Sequence, residues 1–244
     1  MPILKFNSLD ISYQVSGSGP LLILHHGFGS WGGDWSRGGW IEPLERCATV
    51  LTFDAVGHGR STRSHDTADH EIERRAAVVI ALADEFGSEK FGFIGFSLGG
   101  RVGFELAASH PERLSVLAIG GMHLPPPSAE SERIERRIRV LRSGRAKSVE
   151  SPDGDRPGND PLALAASQEA LLRWQGATGR LDSHNAPTLL FCGEKDSHFA
   201  NAKETAASMN FAFVALPGTD HIDTFFSPGF AVNSVAEFVR NHLE

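Results

Sequence analysis

Cysteine is scarce in this chain. Cys47 and Cys192 lie 145 residues apart without metal-ligand spacing, so a disulfide framework and a cysteine-rich zinc site are both excluded, and two buried free thiols are expected. There is one tyrosine, and no apolar run approaches the length of a bilayer span. A basic surplus is also missing. The formal net charge is −7, which argues against nucleic acid as the main partner and against attraction to an anionic membrane surface. The first ten residues lack a charged segment followed by a long apolar one, so a cytosolic soluble protein is the expectation. No internal repeat, coiled-coil seam or long exposed apolar stripe stands out, and oligomeric state is left open.

What remains is ordinary globular material: 41% hydrophobic and 22% charged residues over 244 positions, enough for one large core. Two short strands are expected at 3–6 and 11–15. Continuous apolar runs at 21–24, 48–53, 91–96, 114–119 and 188–192 read as strands covered on both faces, and 211–216 as one more strand. Helical periodicity falls at 67–86, 98–109, 200–209 and 229–243, with a shorter stretch within 40–46. Alternating buried strands and helices imply a mostly parallel sheet with helices on both faces. The alternation lapses over 123–185. There Pro125-Pro126-Pro127 precedes helical patterns at 129–142 and 161–174, and 151–161 is loop-like in composition. The expected organisation is therefore a core of 1–122 and 186–244 carrying a helical cap insertion at 123–185. Arg133, Arg136, Arg137, Arg139 and Arg142 flank the apolar face of Ile134, Ile138 and Leu141; such a charge run is expected to be a solvated face.

One stretch carries chemistry. In Gly95-Phe96-Ser97-Leu98-Gly99-Gly100 an apolar strand meets a serine flanked by glycines, and a helix begins at once. A sharp strand-to-helix turn strains the apex residue, so its neighbours must be small; in return the apex hydroxyl is exposed beside a helix N-terminus. The pattern is common by chance, so context decides. That context is His26-Gly27 after one strand and Asp54-x-x-Gly57-His58-Gly59-x-Ser61 after the next. Gly193-x-x-Asp196 and Gly218-x-x-His221 then follow two later strands.

In this order the motifs resemble the α/β-hydrolase superfamily across the chain apart from the insertion. The resemblance implies an eight-stranded, mostly parallel α/β-hydrolase sheet flanked by helices, and a serine esterase with a short cap. Ser97 is then the nucleophile, His221 the general base and Asp196 the acid that orients it, in the chain order associated with this fold. A serine hydroxyl is a poor nucleophile at neutral pH, so it needs a base within hydrogen-bond reach, and the base needs a carboxylate to fix its tautomer. Glu194 is a rival for the acid but sits inside the turn rather than at its end. The oxyanion-hole donors implied by the resemblance are the backbone amides of Phe28 and Leu98. His25, His26 and His58 are expected to be structural.

The resemblance implies acyl transfer to water, with small carboxylic esters as the leading substrates. Lactones, thioesters and the carbon–carbon bonds of vinylogous diketo acids use the same triad. The segment Ile222-Asp223-Thr224-Phe225-Phe226 fits the carbon–carbon hydrolases poorly. Some relatives with an intact triad serve instead as slow-turnover ligand receptors. A small apolar acyl pocket is expected, with Trp31, Ile134, Ile138 and Trp174 as candidate lining residues and Trp35 as a further candidate. No cofactor is expected. His65-Asp66 and Asp69-His70 lack a recognised ligand spacing, so no metal is expected either.

Overall fold

The structure, a computed structural model, describes residues 1–145 and 157–243. Most of the loop expected at 151–161 thus lies outside the described residues; 157–160 run without regular structure. Eight strands form one sheet: β1 (Ile3–Phe6), β2 (Leu9–Gly17), β3 (Leu21–His25), β4 (Thr49–Phe53), β5 (Phe91–Phe96), β6 (Leu114–Gly120), β7 (Thr188–Gly193) and β8 (Ala212–Leu216). Their order is β1-β2-β4-β3-β5-β6-β7-β8. β1–β2 and β2–β4 pair antiparallel, and every pair from β4 onward is parallel. This is the α/β-hydrolase sheet.

The apolar runs explain the two-sided burial. In β3, Leu21 and Ile23 enter one core cluster while Leu22 and Leu24 enter the other. In β5, Phe91 and Phe93 go one way and Ile94 and Phe96 the other, the period of two that a pleated strand imposes. On the first face lie α3 (Ile72–Glu85) and α4 (Leu98–Ser109), which contribute Val79, Leu82, Val102 and Phe104. On the second lie α1 (Asp34–Arg37), α2 (Ile41–Glu45) and α9 (Phe230–His242), which contribute Trp35, Leu44 and Val235.

Between β6 and β7 come α5 (Ser131–Arg142) and α6 (Pro161–Arg173), which pack on each other. After β7 come α7 (Phe199–Met209) and the short α8 (His221–Phe226). Sequence periodicity is too short to reveal α8, but its cap is plain: the Asp220 carboxylate accepts from the amides of Ile222 and Asp223. The long pattern at 67–86 is a 3-10 turn, Thr67–His70, followed by α3, with Glu71 breaking the two. Of the two thiols, Cys192 is buried as expected but Cys47 is half-exposed. Among the described residues no helix is long and apolar enough to cross a membrane.

Candidate active site

Ser97 sits where β5 turns into α4, with φ 54° and ψ −107°. That conformation is strained for a side chain other than glycine, and it survives because its surroundings leave no other path. A Cβ on Gly95 would lie 2.1 Å from the Gly99 carbonyl oxygen, and one on Gly99 would lie 2.1 Å from that of His25. Both flanking glycines are steric requirements of this turn. The Ser97 amide donates to the Gly120 carbonyl at 2.9 Å, which fixes the apex against β6. Its hydroxyl makes no hydrogen bond among the described residues and lines a cavity beside His221.

His221 is brought there by two loops. It opens α8, and its Nδ1 lies 2.6 Å from Asp196 Oδ2. The Phe96 ring supports the imidazole at a centroid distance of 4.9 Å. Asp196 is 6% exposed, and its other oxygen accepts from the His198 amide at 2.9 Å. Burial works against the charge on Asp196, but the His221 hydrogen bond and charge, with the His198 amide, outweigh it and hold the carboxyl below its usual range. The acid therefore stays ionised and its hydrogen bond assigns the Nδ1 proton to His221. Glu194 is exposed and plays no part in this contact.

The loop after β3 carries Phe28, and α4 begins at Leu98. Neither amide donates to an acceptor among the described residues, and Phe28, Ser97 and Leu98 all line one cavity. The histidines behind this loop are scaffolding. His26 Nε2 accepts from the Ala55 amide at 3.0 Å, so its Nδ1 carries the proton and donates to the Gly27 carbonyl at 2.8 Å. Burial lowers the pKa values of His25, His26 and His58, which keeps all three neutral. Asp54 accepts from the amides of Gly32 and Arg60 and so braces the same loop. Asn159, just before α6, adds a clamp that the sequence does not advertise: it donates to the Gly29 carbonyl and accepts from the Gly59 amide, both at 2.9 Å.

The lining of the cavity departs from expectation. One lobe, about 260 Å³, includes Ser97, His221 and Ile134 together with Arg101, Glu130, Arg133 and Arg137. The other, about 380 Å³, is bounded by Phe28, Phe96, Phe225 and Phe226, with Ser97, His221 and Arg137 shared. Of the four lining candidates only Ile134 lines either lobe. Trp31 is 8% exposed and turned inward, its indole N–H donating to Asp34 at 3.0 Å. Trp174 is 3% exposed and donates to Glu105 at 3.0 Å, while Ile138 packs against the core. Trp35 is fully buried in the second core cluster. Each is held by a polar or packing partner inside the fold, and for Trp31 that partner, Asp34, itself borders the second lobe. The expected solvated arginine face also divides. Arg139 and Arg142 pair with Glu135 and Glu169, but Arg133 and Arg137 turn to the cavity.

The side chains of His65, Asp66, Asp69 and His70 each have a partner in the fold. His65 bonds Asp160, His70 bonds the Ser64 carbonyl, Asp66 caps Ala68 and Asp69 accepts from Ser64. A tighter set, His123, Glu130 and His198, has ligand atoms within 4.8 Å of one another. The Glu130 oxygens are already taken there by Arg101 and Arg133.

A strained serine at a strand-to-helix turn, a buried aspartate bonded to a half-buried histidine after two later strands and a mostly parallel eight-stranded sheet define the hydrolase class with this architecture. The chain belongs to that family: the alpha/beta hydrolase fold family matches residues 20–149. Among curated relatives, a putative carbamate hydrolase of Azorhizobium caulinodans is 33% identical over 119 residues, covering 49% of this chain and 43% of that protein. A putative 2-succinyl-6-hydroxy-2,4-cyclohexadiene-1-carboxylate synthase of Bacillus subtilis is 23% identical over 239 residues, covering 82% and 83%. The chain spans less than half the length of the first of these relatives. Among solved structures, a thermophilic esterase from Thermogutta terrifontis superposes with a TM-score of 0.82 at 22% identity, over 97% of this chain and 95% of that one.

Proposed function

We propose that the protein is a serine hydrolase of small carboxylic esters. Ser97 Oγ attacks the ester carbonyl while its proton passes to His221 Nε2. The tetrahedral oxyanion is held by the amides of Phe28 and Leu98. Collapse breaks the carbon–oxygen bond to the alcohol, which leaves with the proton from His221, and the acyl group stays on Ser97. Water then attacks by the same route in reverse and frees the acid. In this reading residues 123–185 act as a small cap on the core of 1–122 and 186–244, with α5 and α6 roofing the site.

The observation that carries the proposal is the 2.6 Å Asp196–His221 hydrogen bond beside a cavity lined by the strained Ser97, whose hydroxyl makes no hydrogen bond among the described residues. Among the described residues no hydrogen bond joins the Ser97 hydroxyl to His221, and in this reading that contact tightens on substrate binding. A panel of p-nitrophenyl esters from acetate to decanoate tests it. Repeated turnover abolished by Ser97→Ala is expected, whereas a single burst of product without turnover would favour a ligand receptor.

A second reading is favoured by the alignment to the Bacillus subtilis synthase, which runs over 83% of that relative. In it the same residues act on a substrate that is not an ester. No turnover across the whole panel, with Ser97 still reactive toward a phosphonate, would select it.

A further inference from the structure

We propose that the lobe beneath α5 is a carboxylate-binding subsite, and that the physiological substrate carries an anionic group beside its reacting carbonyl. The inference rests on Ser97 and His221 working in this cavity and adds the class of molecule they work on.

The charge inventory is lopsided. Among the described residues Arg101, Arg133 and Arg137 line the lobe and Glu130 is its one carboxylate, so the described lining carries a formal surplus of +2. The chain as a whole carries −7. A cationic cleft in an acidic protein costs stability unless an anion fills it, and low-dielectric walls focus its field.

The three arginines are held in distinct ways. Arg101 lies one helical turn beyond Ser97 on α4 and is 2% exposed. Its Nη2 donates to Glu130 Oε1 at 2.6 Å, but its buried Nη1 has no hydrogen-bond partner among the described residues. Native proteins rarely leave a guanidinium nitrogen in that condition, and a ligand oxygen is one remedy. Arg133 shares Glu130 and stands half-exposed at the rim. Arg137 is the best placed. It borders both lobes, and among the described residues no carboxylate pairs with it. Its Nη1 donates to Gln168 at 3.0 Å, and its guanidinium lies 5.1 Å from the Phe28 ring centroid. Burial first, then the neighbouring Arg133, lowers its pKa, and the charge of Glu130 offsets them only in part. Glu130 serves to hold two of the arginines in place rather than to neutralise the site.

The two lobes meet at Ser97 and His221. A carbonyl at Ser97 would then direct a short carboxylate arm under α5 and an apolar group toward Phe225 and Phe226. An arginine fork matches the planar carboxylate in a way that lysine does not.

The test compares p-nitrophenyl hemiglutarate with p-nitrophenyl valerate, which have the same acyl length but differ in terminal charge. Wild-type protein should show at least tenfold higher kcat/KM for the hemiglutarate, and Arg137→Gln should cut that ratio at least tenfold. Arg137→Lys should restore part of it. Binding of glutarate to the Ser97→Ala protein by calorimetry, with glutaramide as the neutral control, does not depend on ester turnover. Glutarate binding that Arg137→Gln in the same background abolishes supports the subsite even if every ester is refused. Equal ratios in wild type and Arg137→Gln, or no glutarate binding to the Ser97→Ala protein, would overturn it.

Discussion

Asp196→Asn tests the orienting role proposed for the acid, because the structure dictates how the amide must sit. Asp196 Oδ1 accepts from the His198 amide at 2.9 Å. In the variant the carboxamide oxygen must keep that bond, since an NH2 group cannot accept it. The NH2 then faces His221 Nδ1, where the carboxylate now sits at 2.6 Å. A donor there forces Nδ1 to accept, so the imidazole proton moves to Nε2, the nitrogen that must take the proton from Ser97. The base is present but in the wrong tautomer. A triad of this kind is expected to lose about 10⁴-fold in kcat, or roughly 5.5 kcal/mol of barrier. The near-isosteric change should leave the melting temperature within a few degrees, which separates a chemical from a folding defect. Steady-state hydrolysis of p-nitrophenyl butyrate reads the rate, with Glu194→Gln as the control at the exposed carboxylate of the same turn. A loss smaller than tenfold for Asp196→Asn would refute the reasoning, as would a larger loss for Glu194→Gln.

Two further outcomes concern stability. His70 and His123 are each lowered from 6.5 to about 4, by burial first and then by Arg75 and Arg101 respectively. The unfolded chain therefore binds more protons between those limits, so stability is complete above pH 6.5 and falls on acidification. Each histidine should cost roughly 2 kcal/mol by pH 5, and a urea midpoint unchanged between pH 7.5 and pH 5 would contradict this. Glu105 is fully buried and accepts from both Arg180 nitrogens, Trp174 and Ser109. Glu105→Gln should lower the unfolding free energy by about 2 to 3 kcal/mol, less than for a fully buried pair because Arg180 can regain water; a loss under 0.5 kcal/mol in urea titration would count against it.

The sheet and the strained turn at Ser97 were legible because their causes are local. Alternation of apolar residues sets each strand's two faces, and the Gly95 and Gly99 contacts are steric demands visible as sequence spacing. The contact between Asp196 and His221 was legible for a related reason: each follows a strand of the parallel sheet, and β7 and β8 are neighbours that end on the same edge. The lining of the cavity was not. Helical periodicity put Ile134, Ile138 and Leu141 on one face of α5 but could not say which flank of that face meets the site. Docking turns Arg133 and Arg137 inward and Arg139 outward. The tryptophans misled for another reason. Trp174 finds its acceptor, Glu105, 69 residues away in sequence, and nothing local marks that pairing.

The central claim is that Ser97 is an activated nucleophile, and a fluorophosphonate probe tests it most directly. Intact-protein mass spectrometry with peptide mapping should find one adduct per chain, on Ser97, and labelling should slow at least a hundredfold in His221→Ala. An unlabelled protein, or an adduct on any other residue, would contradict the account.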